Sequence, residues 1–222
     1  MIFVLTLTAY IQTGYWRDSI TLFSHDLNVT PDNEVAHNNL GIALFEAGRN
    51  EEAREHYREA LRVNPADPDA NYNLGIALAG QARYTEAAEC FQRSLKSRPN
   101  YPKALDNLGN ALAKLRHTDE AIDCYRKSLE LNPDNAKAHN NLASALSEQG
   151  KFDEAVLEFR QALRLKPDFK EAHANFAVTL FYKSDYVGAW HEVHLARKYG
   201  AAPNPGLLNA LSWKMPEPPD QP

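Results

Sequence analysis

The chain has 222 residues, of which 44% are hydrophobic and 24% charged, and its formal net charge is −5. This composition is typical of ordinary globular proteins and excludes collagen-like, disordered and disulfide-stabilised chains. Because 29 acidic residues outnumber 24 basic ones, no basic surface for nucleic acid is predicted. The two cysteines, Cys90 and Cys124, lack the clustered spacing of a zinc site.

The amino-terminal segment is apolar but short. Residues 1–15 carry no charged side chain. Residues 1–11 would span about 16 Å as a helix, against about 30 Å for the hydrocarbon core of a bilayer, so they are too short to cross a membrane. They also lack the basic start and the small-residue cleavage site of a signal peptide. Two interpretations stay open for residues 1–33: an amino-terminal partial repeat or cap, and the remnant of a membrane-spanning helix.

Prolines then mark an internal period of 34 residues. They recur at Pro31, Pro65, Pro99, Pro133 and Pro167. A period of this length determines the whole fold, so it is interpreted before any single motif. It divides residues 34–203 into five blocks, which are 34–67, 68–101, 102–135, 136–169 and 170–203.

Each block repeats the same side-chain sizes at the same positions. In the first block, Leu40 and Leu44 are the seventh and eleventh residues, Gly41 and Ala53 the eighth and twentieth, and Tyr57 the twenty-fourth. Residues four apart share one helix face, so this spacing predicts two helices per block. The small residues let the two helices approach closely, and the aromatic residue fills the wider space beside them. The block-ending proline stops the second helix.

The carboxy-terminal residues 204–222 differ from the blocks. Residues 207–213 predict a capping helix, and the proline-rich residues 215–222 predict an extended, disordered tail. Aromatic residues concentrate in the fifth block, at Phe181, Tyr182, Tyr186 and Trp190. We expect the capping helix to cover most of them as a carboxy-terminal core. The alternative is an exposed aromatic anchor for a peptide.

The five blocks resemble the tetratricopeptide repeat (TPR) family, whose 34-residue unit carries small, apolar and aromatic residues at these positions. The resemblance weakens in the fifth block, where Val193 replaces the aromatic residue, as expected of a terminal repeat. It implies an all-α fold, a superhelical solenoid of antiparallel helix pairs whose first helices line a concave groove. It also implies a protein–protein interaction scaffold.

Asparagine occupies the sixth position of every block. These residues are Asn39, Asn73, Asn107, Asn141 and Asn175. If first helices line a groove, as the resemblance implies, the five amides form a ladder along it. Each amide offers a donor and an acceptor, which match the N–H and C=O groups of an extended peptide at about every third residue. The alternative explanation is inheritance within the family or local hydrogen bonding.

Other polar residues are predicted to be structural. Histidine is the fourth residue of three blocks (His37, His139 and His173), where we expect it to pack against the preceding repeat. Cys90 and Cys124 share the twenty-third position of adjacent blocks, so at least about 8 Å separates them and free thiols are predicted. No third ligand accompanies the histidines at 191 and 194, so no metal site is predicted.

Both ends of the chain carry a second resemblance. Residues 15–44, which begin with YWRDSITLF, and residues 186–218, which end with NALSWKMPEP, are similar to the ends of TPR tails in polytopic bacterial glycosyltransferase-like membrane proteins. This resemblance implies a membrane-associated protein. It supplies no catalytic region within these 222 residues.

The sequence therefore predicts a binding module. It lacks a glycine-rich nucleotide loop and a nucleophile elbow, and the repeats occupy 170 of 222 residues, which leaves little room for a catalytic domain. We predict a non-catalytic scaffold, without cofactor or metal, that binds an extended protein or peptide segment in its groove. The alternative is the soluble TPR tail of a membrane-bound glycosyltransferase-like protein. The localisation stays open between the cytoplasm and a membrane contacted through the amino terminus.

Overall fold

The computed structural model describes residues 19–218, and this part of the chain contains twelve α helices and no strand. The predicted amino-terminal first helix, or membrane-helix remnant, and the end of the tail lie outside the described residues. In chain order the helices are α1 (Ser19–Val29), α2 (Glu34–Glu46), α3 (Asn50–Val63), α4 (Pro68–Ala79), α5 (Tyr84–Ser97), α6 (Pro102–Lys114), α7 (Thr118–Leu131), α8 (Ala136–Glu148), α9 (Phe152–Leu165), α10 (Lys170–Tyr182), α11 (Tyr186–Lys198) and α12 (Pro205–Lys214). The predicted all-α class is confirmed.

Each block of the sequence begins where a helix begins. The first helices α2, α4, α6, α8 and α10 all start at the first residue of a block. The residues just after the block-ending proline explain this for three of them, because an Asn or Asp oxygen accepts N–H groups that have no partner in the first helical turn. The capping residues are Asn33, Asp67 and Asn135.

The helices form two compact units, residues 1–111 and 112–222. In unit 1, α2 packs against α3 and α4 against α5, and each pair is joined by a short turn. In unit 2, α8 packs against α9 and α10 against α11 in the same way. Successive pairs within a unit also contact each other, through α3 and α4 in unit 1 and through α9 and α10 in unit 2.

Two glycines show how closely the paired helices approach. A Cβ atom added to Gly41 would lie 2.5 Å from the Tyr57 ring, and one added to Gly75 would lie 2.6 Å from the Phe91 ring. Both rings are buried, and the alanines at the twentieth position are fully buried in all five blocks. The predicted close approach is therefore confirmed, because the small eighth residue leaves room for the aromatic twenty-fourth.

The carboxy-terminal residues cover only part of the aromatic group in the fifth block. Helix α12 packs on α11 and α10 through Leu207 and Leu211. Trp190 is 1% exposed, and its indole N–H donates to the carbonyl oxygen of Met215 over 3.1 Å. Trp190 therefore belongs to the predicted core, and Phe181 and Tyr186 are half-buried. Tyr182 is 64% exposed, because it ends α10 at the turn before α11.

The first residues of the tail are also more ordered than predicted. Glu217 accepts hydrogen bonds from His194, over 3.0 Å, and from Arg197, both on α11. Residues 215–218 therefore lie along α11, because this carboxylate and the carbonyl of Met215 find donors there. The remaining tail residues, 219–222, lie outside the described part of the chain.

Candidate peptide-binding face

Two sixth-position asparagines of unit 1, Asn73 and Asn107, form hydrogen bonds with a neighbouring first helix. The Nδ2 group of Asn73 donates to Oδ1 of Asn38 over 3.0 Å. The Nδ2 group of Asn107 lies 2.9 Å from the carbonyl oxygen of Lys103, on its own helix, and 3.3 Å from the Tyr72 hydroxyl. Asn38 and Tyr72 are fifth residues of their blocks, 35 positions before the asparagine that contacts them. These bonds link α2 to α4 and α4 to α6.

Unit 2 repeats this arrangement. The Nδ2 group of Asn175 donates to Oδ1 of Asn140 over 3.2 Å and lies 3.4 Å from the Ser144 hydroxyl. The Nδ2 group of Asn140 in turn donates to Oδ1 of Asn141 over 3.0 Å. Local hydrogen bonding, one of the explanations for the recurring asparagine, therefore occurs in both units.

These bonds use the amide N–H groups and leave amide oxygens available. The Oδ1 atoms of Asn73, Asn107 and Asn175 accept no hydrogen bond from any residue in the range 19–218. Asn39 makes no hydrogen bond within the same range. Asn175 is exposed and the other four sixth-position asparagines are half-buried. The first helices therefore present hydrogen-bond acceptors to solvent. Within each unit, we call the surface formed by its asparagines the first-helix face.

Sequence reasoning missed the residues that hold these amides. They occupy the fifth position, where the residue type changes from Asn38 to Tyr72 to Asn140. No single residue type occupies this position in every block, so the 34-residue pattern carried no clear signal. The contact is visible only at a spacing of 35, because each asparagine reaches the residue one position earlier in the neighbouring block.

Exposed apolar side chains lie on two of the helices that carry the asparagines. Val35 and Phe45, on α2 with the first asparagine, are 58% and 36% exposed. Tyr182, on α10 with the last asparagine, stacks on Phe152 with ring centroids 6.3 Å apart. Large exposed apolar groups next to polar ones are common in protein interfaces. They can contact apolar side chains of a ligand.

The fourth-position histidines link each helix pair to the preceding block. The Nε2–H groups of His37, His139 and His173 each donate over 2.9 Å to the carbonyl oxygens of Pro31, Pro133 and Pro167, respectively. Each of these prolines stands near the end of the preceding block. The predicted packing against the preceding repeat is therefore confirmed.

The His173–Glu192 pair is buried. The Nδ1–H group of His173 donates to Oε2 of Glu192 over 2.6 Å, and its Nε2–H group donates to Pro167. Only a protonated imidazole can donate from both ring nitrogens. Burial opposes the charge on the ring, but the hydrogen bonds to Glu192 and Pro167 outweigh it and raise the pKa of His173.

Replacing Glu192 by glutamine should destabilise the fold most at acid pH. The raised pKa of His173 contributes stability that is complete below about pH 6.5, the value for a histidine in an unfolded chain. This contribution is lost as the pH rises through the folded value. We expect Glu192→Gln to lower the free energy of unfolding by about 3–5 kcal/mol near pH 5.5 and by less near pH 8.5, measured by urea unfolding.

Glu158→Gln is the matched control. Glu158 accepts from His139 over 2.6 Å in the same way, but its side chain is 27% exposed, against 11% for Glu192. The hydrogen bond to Glu158 raises the pKa of His139, so the pH dependence should have the same sign and a smaller size. If Glu192→Gln lowered the free energy of unfolding equally at both pH values, this result would contradict a protonated His173.

Three further features of the described residues concern metal binding, membrane insertion and thiol chemistry. Among residues 19–218, no group of three His, Cys, Asp or Glu side chains is placed to hold a metal ion. No helix in this range is long and apolar enough to span a membrane. Cys90 and Cys124 are free thiols, as predicted. Burial raises the pKa of both, that of Cys124 to about 11, which disfavours the reactive thiolate.

Comparison with known proteins identifies the repeats. The family model described as "Tetratricopeptide repeat" matches residues 38–102 and 107–189, about two thirds of the chain. The chain belongs to the tetratricopeptide repeat family. TPR proteins are protein–protein interaction scaffolds, and the fold of this TPR protein supports the same general role. No curated protein matches the chain.

Several solved TPR structures share this fold. YrrB, described as a TPR protein with an unusual peptide-binding site, is 24% identical, has a TM-score of 0.73, and matches over 86% of this chain and 97% of its own. PilF of Pseudomonas aeruginosa is 23% identical, with a TM-score of 0.71 and coverage of 83% and 85%. MamA of Desulfovibrio magneticus RS-1 is 24% identical, with a TM-score of 0.70 and coverage of 75% and 94%. These similarities show the fold alone.

Proposed function

We propose that this TPR protein binds an extended segment of a partner protein along its first-helix face, and that it does so without catalysis. The groups that hold the peptide backbone are the side-chain amides of Asn39, Asn73, Asn107, Asn141 and Asn175. The observation that carries the proposal is that three of these amides have an oxygen that accepts no hydrogen bond within residues 19–218.

These oxygens suit a peptide backbone because every residue except proline offers an N–H donor. The Nδ2 groups of Asn73 and Asn175 are already held by Asn38 and Asn140, so each Oδ1 atom is oriented before a ligand arrives. An acceptor oriented in advance lowers the entropic cost of binding. Backbone N–H groups are common to all sequences, so the asparagines provide affinity without selecting particular side chains.

Each unit provides its own set of acceptors. Unit 1 carries Asn39, Asn73 and Asn107, and unit 2 carries Asn141 and Asn175. Neighbouring helices pack about 8–10 Å apart, and an extended chain rises about 3.3 Å per residue. A peptide running across the first helices of one unit therefore meets an asparagine at about every third residue.

Selectivity comes from exposed apolar groups on the same helices as the asparagines. Val35 and Phe45 lie on α2 in unit 1, and Tyr182 lies on α10 in unit 2. A ligand with apolar side chains between its bonded N–H groups fits both features. A uniformly charged peptide would leave these apolar surfaces exposed to water.

Affinity measurements with a selected peptide test this proposal. A displayed library of 12-residue peptides is selected on the full chain, and one enriched peptide is titrated against variants. We expect the double variants Asn73→Ala/Asn107→Ala or Asn141→Ala/Asn175→Ala to bind about tenfold more weakly, because each lost hydrogen bond contributes about 0.5–1.5 kcal/mol. Circular dichroism should show unchanged helicity.

The double variant Asn100→Ala/Asn132→Ala is the control. It removes two exposed asparagines from the connections before α6 and α8, away from the first-helix face. Its affinity should equal that of the native chain. Native affinity in both test variants would reject the asparagines as the peptide site, and so would an equal loss in the control.

The alternative function, a TPR tail of a membrane-bound glycosyltransferase-like protein, depends on the amino-terminal segment. Residues 1–18 lie outside the described part of the chain, and the resemblance at both ends of the chain is a sequence similarity that the structure does not test. It stays a prediction from the sequence.

A further inference from the structure

We propose that a pocket between the second helices of unit 2 binds an apolar carboxylate, with Arg160 as the group that holds the anion. The pocket has a volume of about 390 Å³ and is bounded by α9, α10 and α11. Arg160 stands on one side, Gly188 on the other, and Phe176 and Leu180 form part of the lining. We call this cavity the Arg160 pocket.

The preceding block pairs such an arginine with a glutamate. Arg126 is the twenty-fifth residue of its block, and its Nη2 group donates over 3.1 Å to Oε2 of Glu154. Glu154 is the nineteenth residue of the next block. The first four blocks all carry glutamate at the nineteenth position. An ion pair therefore joins the second helices of the third and fourth blocks.

In the next step along the chain, the carboxylate of this pair is missing. Arg160 is the twenty-fifth residue of the fourth block, and the nineteenth residue of the fifth block is Gly188. Arg160 makes no hydrogen bond or ion pair with any residue of the described range 19–218. Arg160 and Gly188 both line the pocket. A ligand carboxylate can therefore take the place of the missing side chain.

At the start of α11, the side chain of Asp185 lies beside this glycine. Oδ1 of Asp185 accepts from the backbone N–H of Gly188 over 2.9 Å and caps the helix. A Cβ atom at Gly188 would lie 2.5 Å from the Asp185 carboxylate. The first block begins its second helix differently, with an ion pair between Arg49 and Glu52 at the same two positions. In the fifth block, a capping aspartate and a glycine therefore occupy the two positions that form a surface ion pair in the first block.

The charges and apolar groups of the pocket favour a ligand with one anionic and one apolar part. Arg164 adds a second positive charge beside Arg160. The acidic residues of the lining are engaged, since Asp185 caps α11 and Glu192 accepts from His173. Phe176 and Leu180 are buried, at 5% and 6% exposure, and provide an apolar surface next to the arginines.

The pocket is separate from the first-helix face. Helix α10 contributes Phe176 and Leu180 to the pocket, but Asn175 on the same helix is not a lining residue and contacts residues of α8. The inference therefore does not depend on the proposed function. Two sources could present the same chemistry: a free small acid, and the carboxy-terminal residue of a peptide, which carries a carboxylate and a side chain on one Cα atom.

Binding of simple acids to the full chain tests the inference. The probes are 3-phenylpropionate and acetyl-Ala-Ala-Phe, each compared with its neutral carboxamide by NMR titration of backbone amides. We expect at least one acid to shift the Gly188 amide and to bind about tenfold more tightly than its amide, since hydrogen bonds to charged groups are strong. The acid that binds identifies the source of the carboxylate.

Three variants complete the experiment. Arg160→Gln should weaken acid binding to the level of the carboxamide. Arg126→Gln, the same change one block earlier, should leave acid binding unchanged. Asp185→Arg/Gly188→Glu restores the ion-pair pattern of the first block and should abolish acid binding, with helicity checked by circular dichroism.

Four outcomes would overturn the inference. They are equal binding of acid and carboxamide, acid binding retained in Arg160→Gln, acid binding lost in Arg126→Gln, and no binding of either acid at up to about 10 mM, the range expected for such small ligands. Arg160 is exposed, so its substitution tests the site without disturbing the core.

Discussion

Phe159→Ala should lower the free energy of unfolding by about 3–5 kcal/mol. Phe159 is the twenty-fourth residue of its block and is fully buried on α9. Its ring stacks on Phe176 of the next block with centroids 5.3 Å apart, so it contacts side chains of two helix pairs. Truncation removes these contacts and leaves a cavity that neighbouring side chains fill only in part. Urea unfolding followed by circular dichroism measures the loss.

Leu157→Ala provides the control on the same helix. Leu157 lies two residues away and is 61% exposed, so its substitution should change the free energy of unfolding by no more than about 0.5 kcal/mol. Similar losses in the two variants would mean that the twenty-fourth position is not the centre of the packing between helix pairs. The predicted role of the repeating aromatic residue would then be wrong.

Gly75→Val should lower the free energy of unfolding by about 3 kcal/mol or more. The added Cβ atom would lie 2.6 Å from Cε1 and 2.9 Å from Cδ1 of Phe91, a ring that is itself fully buried. Overpacking of this kind forces helices apart or side chains out of their preferred rotamers. The branched side chain also fits poorly in a helix. The loss is measured by the same unfolding experiment.

Two further variants identify the clash as the cause. Gly80 lies at the end of the same helix, where the nearest atoms to an added Cβ are 3.6 Å away. Gly80→Val should therefore lower the free energy of unfolding much less. Gly75→Val/Phe91→Ala removes the ring that valine meets, so its total loss should be smaller than the sum of the two single losses. Additive losses would contradict direct contact between the eighth and twenty-fourth positions.

The repeat period predicted the helix positions because local and tertiary requirements agree in each block. A proline ends one block, an Asn or Asp cap such as Asp67 starts the next helix, and Gly75 leaves space for Phe91. Each of these signals lies in the sequence at a fixed spacing. The start of α4 at Pro68 therefore needed no knowledge of distant contacts.

Features that join two blocks were harder to predict. The bond from Asn73 to Asn38 connects residues 35 apart, and the partner position changes residue type along the chain. The burial of the aromatic residues in the fifth block was predicted only in part. Whether α12 covers Tyr182 depends on how far this short helix extends over α10 and α11. The pocket beside Arg160 follows from a missing glutamate, which a search for recurring residues does not detect.

The decisive measurement for the proposed function is the affinity of a selected peptide whose backbone N–H groups are methylated one at a time. Methylation removes a single donor and leaves the side chains unchanged. If asparagine oxygens such as Oδ1 of Asn73 hold the backbone, affinity should fall about tenfold at positions spaced about three residues apart and stay near its original value between them. Uniform affinity across the methylated series would contradict backbone recognition by the asparagines.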